Sequence, residues 1–284
     1  MSVKPTFFIV GTPKGGTTSL FNYLEEHPEV FVPKIKEPHF FSCPEVKNTY
    51  YNATIIDSLE AYQKLYKESK TYKAIGDFSS SYLNNENSPK KIKDFNPQAK
   101  VVIVLRNPVE RAISHYLMDY SLGYISVPLK EIINNKQQYA DFYEQYVETG
   151  FYDGQLKNYL QVFKPSNIQI ILSDDLFSET EKTVSNLFQF IGVDTSFKPD
   201  YTKKHNQFKQ ARFPVVKKLR QSKTLQIMMG NTPAPIKSLL GKLVFNNKKG
   251  KPQLLEETAI LKSIYKPHIL VTQTLIDKDL NKWF

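Results

Sequence analysis

The chain has 284 residues, 40% of them apolar and 13% aromatic, and its formal net charge is +10. This length and apolar content exclude a disordered chain and suffice for one large domain or two small ones. The positive charge favours an anionic partner, namely nucleic acid, a membrane surface or a phosphorylated small molecule, and composition does not choose among them. The single cysteine, Cys43, excludes an intramolecular disulfide framework.

The sequence contains no apolar run approaching the roughly 18 residues that cross a membrane. Only Lys4 precedes the apolar run "FFIV" near the N-terminus, and no small-residue cleavage site follows that run. Both features argue against a signal peptide. We therefore expect a cytoplasmic protein without a membrane span.

The first predicted element is a strand over residues 6–10, "TFFIV". A short, continuous apolar run of this kind is typical of a parallel strand covered on both faces. The glycine-rich loop "GTPKGGTT" follows at 11–18. A helical pattern then begins, with Leu20 and Leu24 on one face and Pro28 closing the helix.

The glycine-rich loop has the glycine spacing of a Walker A phosphate-binding loop, but its lysine is displaced. Gly11 and Gly16 keep the spacing, whereas Thr17 stands where the lysine belongs and Lys14 lies inside the loop. Glycines let the backbone approach a ligand, and the amides that begin the helix point at an anion. The predicted anion-binding residues are Lys14, Gly15, Gly16, Thr17, Thr18 and Ser19. A glycine-rich turn without a ligand is the alternative, because short glycine motifs are common by chance.

A second strand is predicted over residues 100–105, "KVVIVL", and a helix follows it directly. Asn107 is a favourable N-cap and Pro108 suits the first helical position. Glu110 lies three residues after the cap, as in a capping box. The sequence therefore predicts a second strand–turn–helix unit.

Arg106 ends this second strand where a nucleoside triphosphatase carries an acidic residue for Mg²⁺. An arginine repels a metal and binds phosphate through its planar guanidinium. Ser114, about two turns along the following helix, could add a hydroxyl to the same anion. Two anion sites on neighbouring strand ends, without a metal, fit a nucleotide with phosphates at both ends of its ribose. The alternatives are a surface salt bridge for Arg106 and a helix-surface serine for Ser114.

The later elements complete an α/β pattern. A third strand is predicted over residues 168–172. Helices are predicted over residues 58–67, 180–193 and 257–276. Pro267 is expected to kink or interrupt the last of them. Strands alternating with helices indicate a P-loop-like central parallel sheet flanked by helices, in a single domain over residues 1–284. The basic region 201–251 is either a mobile flap or a solvated surface.

Two motifs together resemble the nucleotide-binding motifs of the sulfotransferases that use 3′-phosphoadenosine 5′-phosphosulfate (PAPS). "PKGGTTSLFNYLEEHP" (13–28) is similar to their 5′-phosphosulfate loop, and "VVIVLRNPVERAISHYLMDY" (101–120) to their 3′-phosphate motif. "KIKEPHFF" (34–41) and the tail "YKPHILVTQTLIDKDLNKWF" (265–284) are similar to segments of the heparan-sulfate-type members. On this resemblance, which spans nearly the whole chain, the protein is identified as a bacterial-like soluble member of that family.

The resemblance implies transfer of a sulfuryl group from PAPS to a hydroxyl on a carbohydrate or glycoconjugate, without a metal. The other product is adenosine 3′,5′-bisphosphate (PAP). It implies that Lys14 contacts the 5′-phosphosulfate and stabilises the departing phosphate oxygen. It also implies that Arg106 and Ser114 hold the 3′-phosphate. Because "FKQARFP" (208–214) is similar to the family's loop over the nucleotide, Lys209 and Arg212 are expected to close on that phosphate.

Glu37 is the general base that the resemblance implies. It is a carboxylate in a segment rich in proline and phenylalanine, where desolvation could raise its pKa. The alternative is an exposed glutamate paired with Lys36. His39 is a second candidate catalytic residue that could orient Glu37 or bond the transferring group, and it is otherwise a structural histidine.

The segment "GDFSSSYL" (76–83) departs from the family pattern. Asp77 and Phe78 stand where the heparan-type relatives have glutamate and lysine, so a lysine of their site is missing. Ser80 replaces their proline, and Ser79 keeps a hydroxyl that could line the pocket. The acceptor is therefore the least defined part of the prediction.

Two other functions remain as alternatives at this stage. One is a P-loop kinase or nucleotide hydrolase that uses ATP and Mg²⁺, against which the displaced lysine and Arg106 argue. The other is a basic nucleic-acid-binding protein, suggested by the net charge. Against the second, the charge is scattered and no recognition motif is present.

Overall fold

Five parallel strands form the central sheet of the structure, a computed structural model that describes residues 3–48, 55–202, 210–211, 245–246 and 253–284. The strands are β1 (Phe7–Gly11), β2 (Val30–Phe31), β3 (Ala74–Phe78), β4 (Lys100–Leu105) and β5 (Ile168–Leu172). Their order across the sheet is β2-β3-β1-β4-β5, and every pair is parallel. The predicted α/β fold class is confirmed.

The three predicted strands are present, and β1 lies one residue later than expected. Neither β2 nor β3 was predicted from the sequence. β2 is only two residues long, and in β3 Gly76 and Asp77 interrupt the apolar run. Both strands are fixed by pairing with β1 and its neighbours rather than by their own sequence pattern.

β1 lies at the centre of the sheet and is buried along its whole length. Phe7 pairs with Gly76 of β3 on one side and with Lys100 of β4 on the other. Because parallel strands end at the same edge of a sheet, the loops that follow β1, β3 and β4 come together there. This edge carries the candidate site.

Helices cover both faces of the sheet. They are α1 (Thr17–Glu25), α2 (Leu59–Lys64), α3 (Ser88–Phe95), α4 (Pro108–Leu122), α5 (Leu129–Asn134), α6 (Ala140–Tyr146), α7 (Tyr152–Val162), α8 (Ser173–Ser178), α9 (Thr180–Ile191) and α10 (Leu255–Ile276). Phe8 and Val10 of β1 face a core shared with α3, α4, α7 and α10. Phe7 and Ile9 face a second core shared with α1, α8 and α9. The alternation along β1 therefore divides the apolar interior into two layers.

The helix ends test the capping predictions. Asn107 Oδ1 accepts hydrogen bonds from the amides of Val109 (3.0 Å) and Glu110 (3.4 Å), so the predicted N-cap of α4 is confirmed. The predicted capping box is incomplete, because the Glu110 carboxylate bonds Arg106 instead. α10 is not interrupted by Pro267, which lies within the helix.

The basic region 201–251 lies mostly outside the described residues. Its described part includes two short strands, β6 (Gln210–Ala211) and β7 (Phe245–Asn246), which pair antiparallel. Lys209 and Arg212 lie outside the described residues. Whether the region is a flap therefore stays a prediction.

The described helices include none that is both long and apolar enough to span a membrane. The cytoplasmic location and the assignment of residues 1–284 to a single domain stay predictions.

Gly76→Ala should destabilise the fold, because a Cβ at this position would lie 2.4 Å from Phe7 Cζ. Phe7 is fully buried, and overpacking of this kind costs about 1–3 kcal/mol. Denaturant unfolding should show the free energy of unfolding falling by that amount. The control Gly154→Ala adds the same methyl group to α7, where nothing lies within 4 Å. Helix propensity makes that change stabilising by up to about 1 kcal/mol. Equal stability of the two variants would contradict the packing argument.

Candidate functional site

A cavity of about 1100 Å³ opens at the carboxyl edge of the sheet. Its walls are formed by the loop between β1 and α1, the segment 37–46, the loop after β3, and the helices α4 and α6. The sequence-predicted residues that line it are Lys14, Gly16, Thr17, Thr18, Ser19, Glu37, His39, Arg106 and Ser114. The fold therefore brings together groups separated by up to a hundred positions in the sequence.

The glycine-rich loop ends at Gly16, which is the N-cap of α1 and has φ +105°. A residue with a Cβ is strained in this left-handed conformation, so the position favours glycine. No side chain among the described residues caps the helix. The Ser19 amide donates to the Gly16 carbonyl at 3.0 Å, so Thr17 and Thr18 carry the amides at the helix start that an anion could accept from. Gly15 is buried behind the loop, and its carbonyl accepts a hydrogen bond from the Ser173 hydroxyl.

Lys14 lies inside this loop with φ +68°. Its Nζ is 3.2 Å from Met118 Sδ on α4, so the side chain extends across the cavity from the loop toward that helix. The Lys14 carbonyl accepts a hydrogen bond from Arg106 Nη1 at 3.2 Å. The two predicted anion sites are thus in direct contact.

Arg106 directly follows β4, and besides the Lys14 carbonyl it contacts Glu110 and Tyr152. Its Nη2 and Nε donate to Glu110 Oε2 at 2.9 and 3.2 Å, and its carbonyl accepts from the Tyr152 hydroxyl at 2.9 Å. The salt bridge considered as the alternative in the sequence analysis is therefore present. Arg106 nevertheless lines the cavity, and so does Ser114.

Glu37 also lines the cavity and has φ +61°. Ser80 Oγ donates to Glu37 Oε2 at 2.9 Å, and His39 Nε2 lies 3.7 Å from the same oxygen. Lys36 Nζ is 3.8 Å from the other carboxylate oxygen. The pairing with Lys36 considered as the alternative is therefore present as a long contact, and Glu37 still faces the cavity.

Lys36 connects the two walls. Its Nζ donates to Thr18 Oγ1, in the first turn of α1, at 2.7 Å. Burial lowers the pKa of Lys36, and the Glu37 carboxylate opposes that shift. From the sequence, Lys36 was expected only as a partner of Glu37, because no sequence pattern indicates that it reaches the first turn of α1.

His39 is held on both its backbone and its ring. Its amide donates to Ser79 Oγ at 3.1 Å, and its Nδ1 lies 2.7 Å from Ser81 Oγ. Burial lowers the pKa of His39, and the Glu37 carboxylate raises it. Because the effect of burial is the larger, the imidazole is neutral near pH 7.

Asp77 lies beneath this wall and is fully buried. Its carboxylate accepts hydrogen bonds from the hydroxyls of Tyr62 (2.5 Å), Tyr82 (3.1 Å) and Ser79 (3.1 Å). Burial raises the pKa of Asp77 from 3.8 to about 6, against the opposing effect of the three donors. Ser79, which the sequence analysis placed on the pocket wall, is buried in this network, and Ser80 and Ser81 line the cavity instead.

Two further residues of the cavity wall were not found from the sequence. His115 is buried on α4, where desolvation and the nearby charges of Arg111 and Lys14 hold its pKa well below the ordinary value. Phe177 on α8 is 62% exposed and lies beside Gly16 at the cavity mouth. Its apolar character suggests a core position, so only the fold places it on the site.

Within the described ranges, no group of histidine, cysteine, aspartate and glutamate side chains is arranged to hold a metal ion.

Comparison with known families shows that residues 4–266 match a family model described as "Sulfotransferase domain". The chain is 29% identical over 222 residues to heparan sulfate glucosamine 3-O-sulfotransferase 6 of Mus musculus, covering 77% of this chain and 60% of that protein. It is 26% identical over 253 residues to carbohydrate sulfotransferase 15 of Mus musculus, covering 66% of this chain and 44% of that protein. The chain therefore spans about 60% or less of the length of these two relatives.

Solved structures share the fold. A sulfotransferase from Alicyclobacillus acidocaldarius matches with a TM-score of 0.75 and 25% identity, covering 99% of both chains. The mouse sulfotransferase SULT7A1 complexed with PAP matches with a TM-score of 0.53 and 15% identity, covering 98% of this chain and 91% of that one. The second match supports the architecture alone.

The buried carboxyl of Asp77 should make stability depend on pH. Because its folded pKa of about 6 lies above the ordinary value of 3.8, the folded protein binds the proton more tightly than the unfolded chain does. The resulting stabilisation is complete below the unfolded pKa and is lost as the pH rises through about 6. Relative to Asp77→Asn, the wild-type free energy of unfolding should fall by about 2 kcal/mol between pH 4 and pH 7.

Urea unfolding of both proteins across this pH range measures the difference. The control is Asp94→Asn, which removes a carboxylate that is exposed on α3 rather than buried. A difference between wild type and Asp77→Asn that stays constant with pH would contradict the raised pKa.

Proposed function

Since the family model covers most of its length, this chain belongs to the sulfotransferase family, and on that premise we propose that it transfers a sulfuryl group from PAPS to a hydroxyl of a carbohydrate or glycoconjugate. One observation carries the proposal. The start of α1, the Arg106–Ser114 wall and the Glu37 carboxylate all face a single cavity. Two anion sites opposite a carboxylate suit a nucleotide donor bearing two phosphates and an acceptor that must lose a proton.

The loop before α1 binds the 5′-phosphosulfate in this proposal. The uncapped helix start offers amides, and Thr17, Thr18 and Ser19 offer hydroxyls. Lys14 reaches the same space from inside the loop and stabilises the negative charge that develops on the departing phosphate oxygen. Because that charge grows during transfer, a cation fixed in place lowers the barrier more than it strengthens ground-state binding.

Arg106 and Ser114 hold the 3′-phosphate. To do so, Arg106 exchanges some of its bonds to the exposed Glu110 carboxylate for bonds to the phosphate. A phosphate dianion competes well with a solvated carboxylate for a guanidinium. Lys209 and Arg212, outside the described residues, are proposed to close on the same group.

Glu37 is the proposed general base. The acceptor oxygen attacks sulfur in line, the bond between sulfur and the 5′-phosphate oxygen breaks, and the hydroxyl proton passes to the Glu37 carboxylate. The bond from Ser80 Oγ to Oε2 at 2.9 Å fixes the direction of the carboxylate. His39, neutral and 3.7 Å from the same oxygen, orients Glu37 from the other side.

A carbohydrate acceptor is supported by two observations. The two similar mouse proteins are named as sulfotransferases of heparan sulfate glucosamine and of carbohydrate. The cavity wall away from the phosphate-binding loop also offers neutral amide side chains, including Asn84, Asn85 and Gln138, together with the Tyr139 ring. Amides and aromatic rings are groups that bind sugar hydroxyls and sugar faces.

Calorimetry of nucleotide binding tests the function. PAP should bind tightly in EDTA, and Mg²⁺ should not strengthen its binding. ATP should bind weakly with or without Mg²⁺. Arg106→Ala should weaken PAP binding at least tenfold, because bonds to a charged group contribute about 1.5–3 kcal/mol, and should leave binding of AMP, which lacks the 3′-phosphate, nearly unchanged.

Mg²⁺-dependent ATP binding with no preference for PAP would overturn the proposal in favour of a kinase or nucleotide hydrolase. Tight binding that ignores PAP and falls steeply with salt would favour the nucleic-acid-binding alternative. Equal losses of PAP and AMP affinity in Arg106→Ala would remove the 3′-phosphate assignment alone. Arg106→Lys is the matched control, because it keeps the positive charge but lacks the planar guanidinium group.

Glu37→Gln should reduce turnover to a small residual rate while PAP still binds, because an amide keeps the shape of the carboxylate but takes no proton. Loss of a general base lowers rates by about 10²–10⁴-fold. Conversion of PAPS to PAP in a mixture of heparosan, chitin oligosaccharides and lactose measures turnover, and calorimetry measures PAP affinity. Turnover at the wild-type rate in Glu37→Gln would exclude Glu37 as the base.

A further inference from the structure

Asp77 is a buried carboxylate that the proposed reaction does not use. It does not line the cavity, yet it accepts three hydroxyl hydrogen bonds directly beneath the wall that carries Glu37. Two of the donors, Tyr62 and Tyr82, are themselves fully buried. The carboxylate is therefore rigidly held on one side by two phenols, and it offers its other oxygen to Ser79.

Ser79 connects Asp77 to the segment that carries the proposed base. Its hydroxyl donates to Asp77 Oδ1 at 3.1 Å and accepts from the His39 amide at 3.1 Å. Because the single hydroxyl proton goes to Asp77, a lone pair of Ser79 Oγ is directed at the His39 N–H. Without the carboxylate, the Ser79 hydroxyl would be free to rotate.

The segment held in this way has an unfavourable backbone conformation. Glu37 has φ +61° and His39 has φ +56°, both in the left-handed region that residues with a Cβ disfavour. Such conformations persist only where the surroundings hold them, and they concentrate at functional sites. Two other contacts of the segment's backbone run from the Ile56 amide to the Pro38 carbonyl at 2.9 Å and from the Ser42 amide to the His39 carbonyl at 3.2 Å, and the Ser42 hydroxyl donates to the same His39 carbonyl at 3.2 Å.

We propose that Asp77, acting through Ser79, positions the Glu37–His39 segment so that the Glu37 carboxylate faces the acceptor. This inference rests on the proposed function, because it takes Glu37 as the base. Asp77 and Ser79 touch neither substrate in this proposal, so they are positioning residues. The network sets the backbone on which Glu37 is carried, while Ser80 sets the direction of its side chain.

Ser79→Ala tests the proposal, because it cuts the connection to His39 and leaves both tyrosine bonds to Asp77 in place. Turnover of PAPS in the glycan mixture should fall at least tenfold, since misplacing a catalytic group by a fraction of an ångström has effects of that order. PAP affinity should stay within about twofold, because the phosphate-binding residues are untouched. Ser79→Thr, which keeps the hydroxyl, should restore turnover. Ser166→Ala, at an exposed serine on the chain leading into β5, is the control.

A second measurement separates positioning from general structural support. In a Glu37→Gln background, Ser79→Ala should cause no further loss of turnover. A variant that already lacks the base cannot lose activity because the base is misplaced. Exchange of the His39 amide with solvent should accelerate in Ser79→Ala and not in Ser166→Ala. If the alanine variant does not fold, Ser79→Cys fills the same space with a weaker hydrogen-bonding group and should show the same pattern.

Wild-type turnover in Ser79→Ala, equal losses with and without Glu37, or a parallel loss of PAP affinity would each overturn the positioning role. A wild-type chain that binds no PAP would instead overturn the proposed function. In that case, unchanged exchange of the His39 amide in Ser79→Ala would show that the connection does not hold the segment either.

Discussion

The site depends on the pairing of β1 between β3 and β4. Because the three strands are parallel and hydrogen-bonded along a buried ladder, the residues that follow them are held at fixed distances from one another. Lys14, Ser80 and Arg106 each follow a different one of these strands. Arg106 donates to the carbonyl of Lys14 although 92 positions separate them. The sheet therefore sets the spacing of the polar groups before any ligand binds, which is the condition for preorganised electrostatic stabilisation.

Neighbouring groups balance the charges around the cavity. Arg106 pairs with Glu110, and Lys36 lies between the Thr18 hydroxyl and the Glu37 carboxylate. These contacts satisfy the cations without filling the helix start, which keeps its amides unbonded to any described side chain. An anion bound as proposed would therefore compete with the solvent-exposed Glu110 carboxylate for Arg106, and with the more distant Glu37 carboxylate for Lys36, rather than break a buried ion pair.

Sequence patterns were sufficient for the parts of the molecule that are locally encoded. The apolar runs predicted β1, β4 and β5, and Asn107 with Pro108 predicted the start of α4. Patterns failed where long-range pairing decides the structure, as in β3, where Gly76 and Asp77 interrupt the run but pairing with β1 imposes a strand. The glycine-rich loop between β1 and α1 could be singled out from the sequence because its residues are consecutive. Lys36 and the Asp77 network could not, since their partners come from distant segments and no local spacing signals them.

The buried Asp77 carboxylate affects the stability of the folded state in two opposite ways. Burial disfavours its ionisation near neutral pH, whereas its oxygens are the acceptors of two buried tyrosine hydroxyls. An apolar side chain at this position would remove the buried charge but would leave both hydroxyls without an acceptor, at a cost of about 1–3 kcal/mol each. If the proposed positioning role holds, the same replacement would also loosen the segment that carries Glu37. A thermostable variant obtained by directed evolution is therefore expected to gain its stability at other positions and to keep a hydrogen-bond acceptor at position 77.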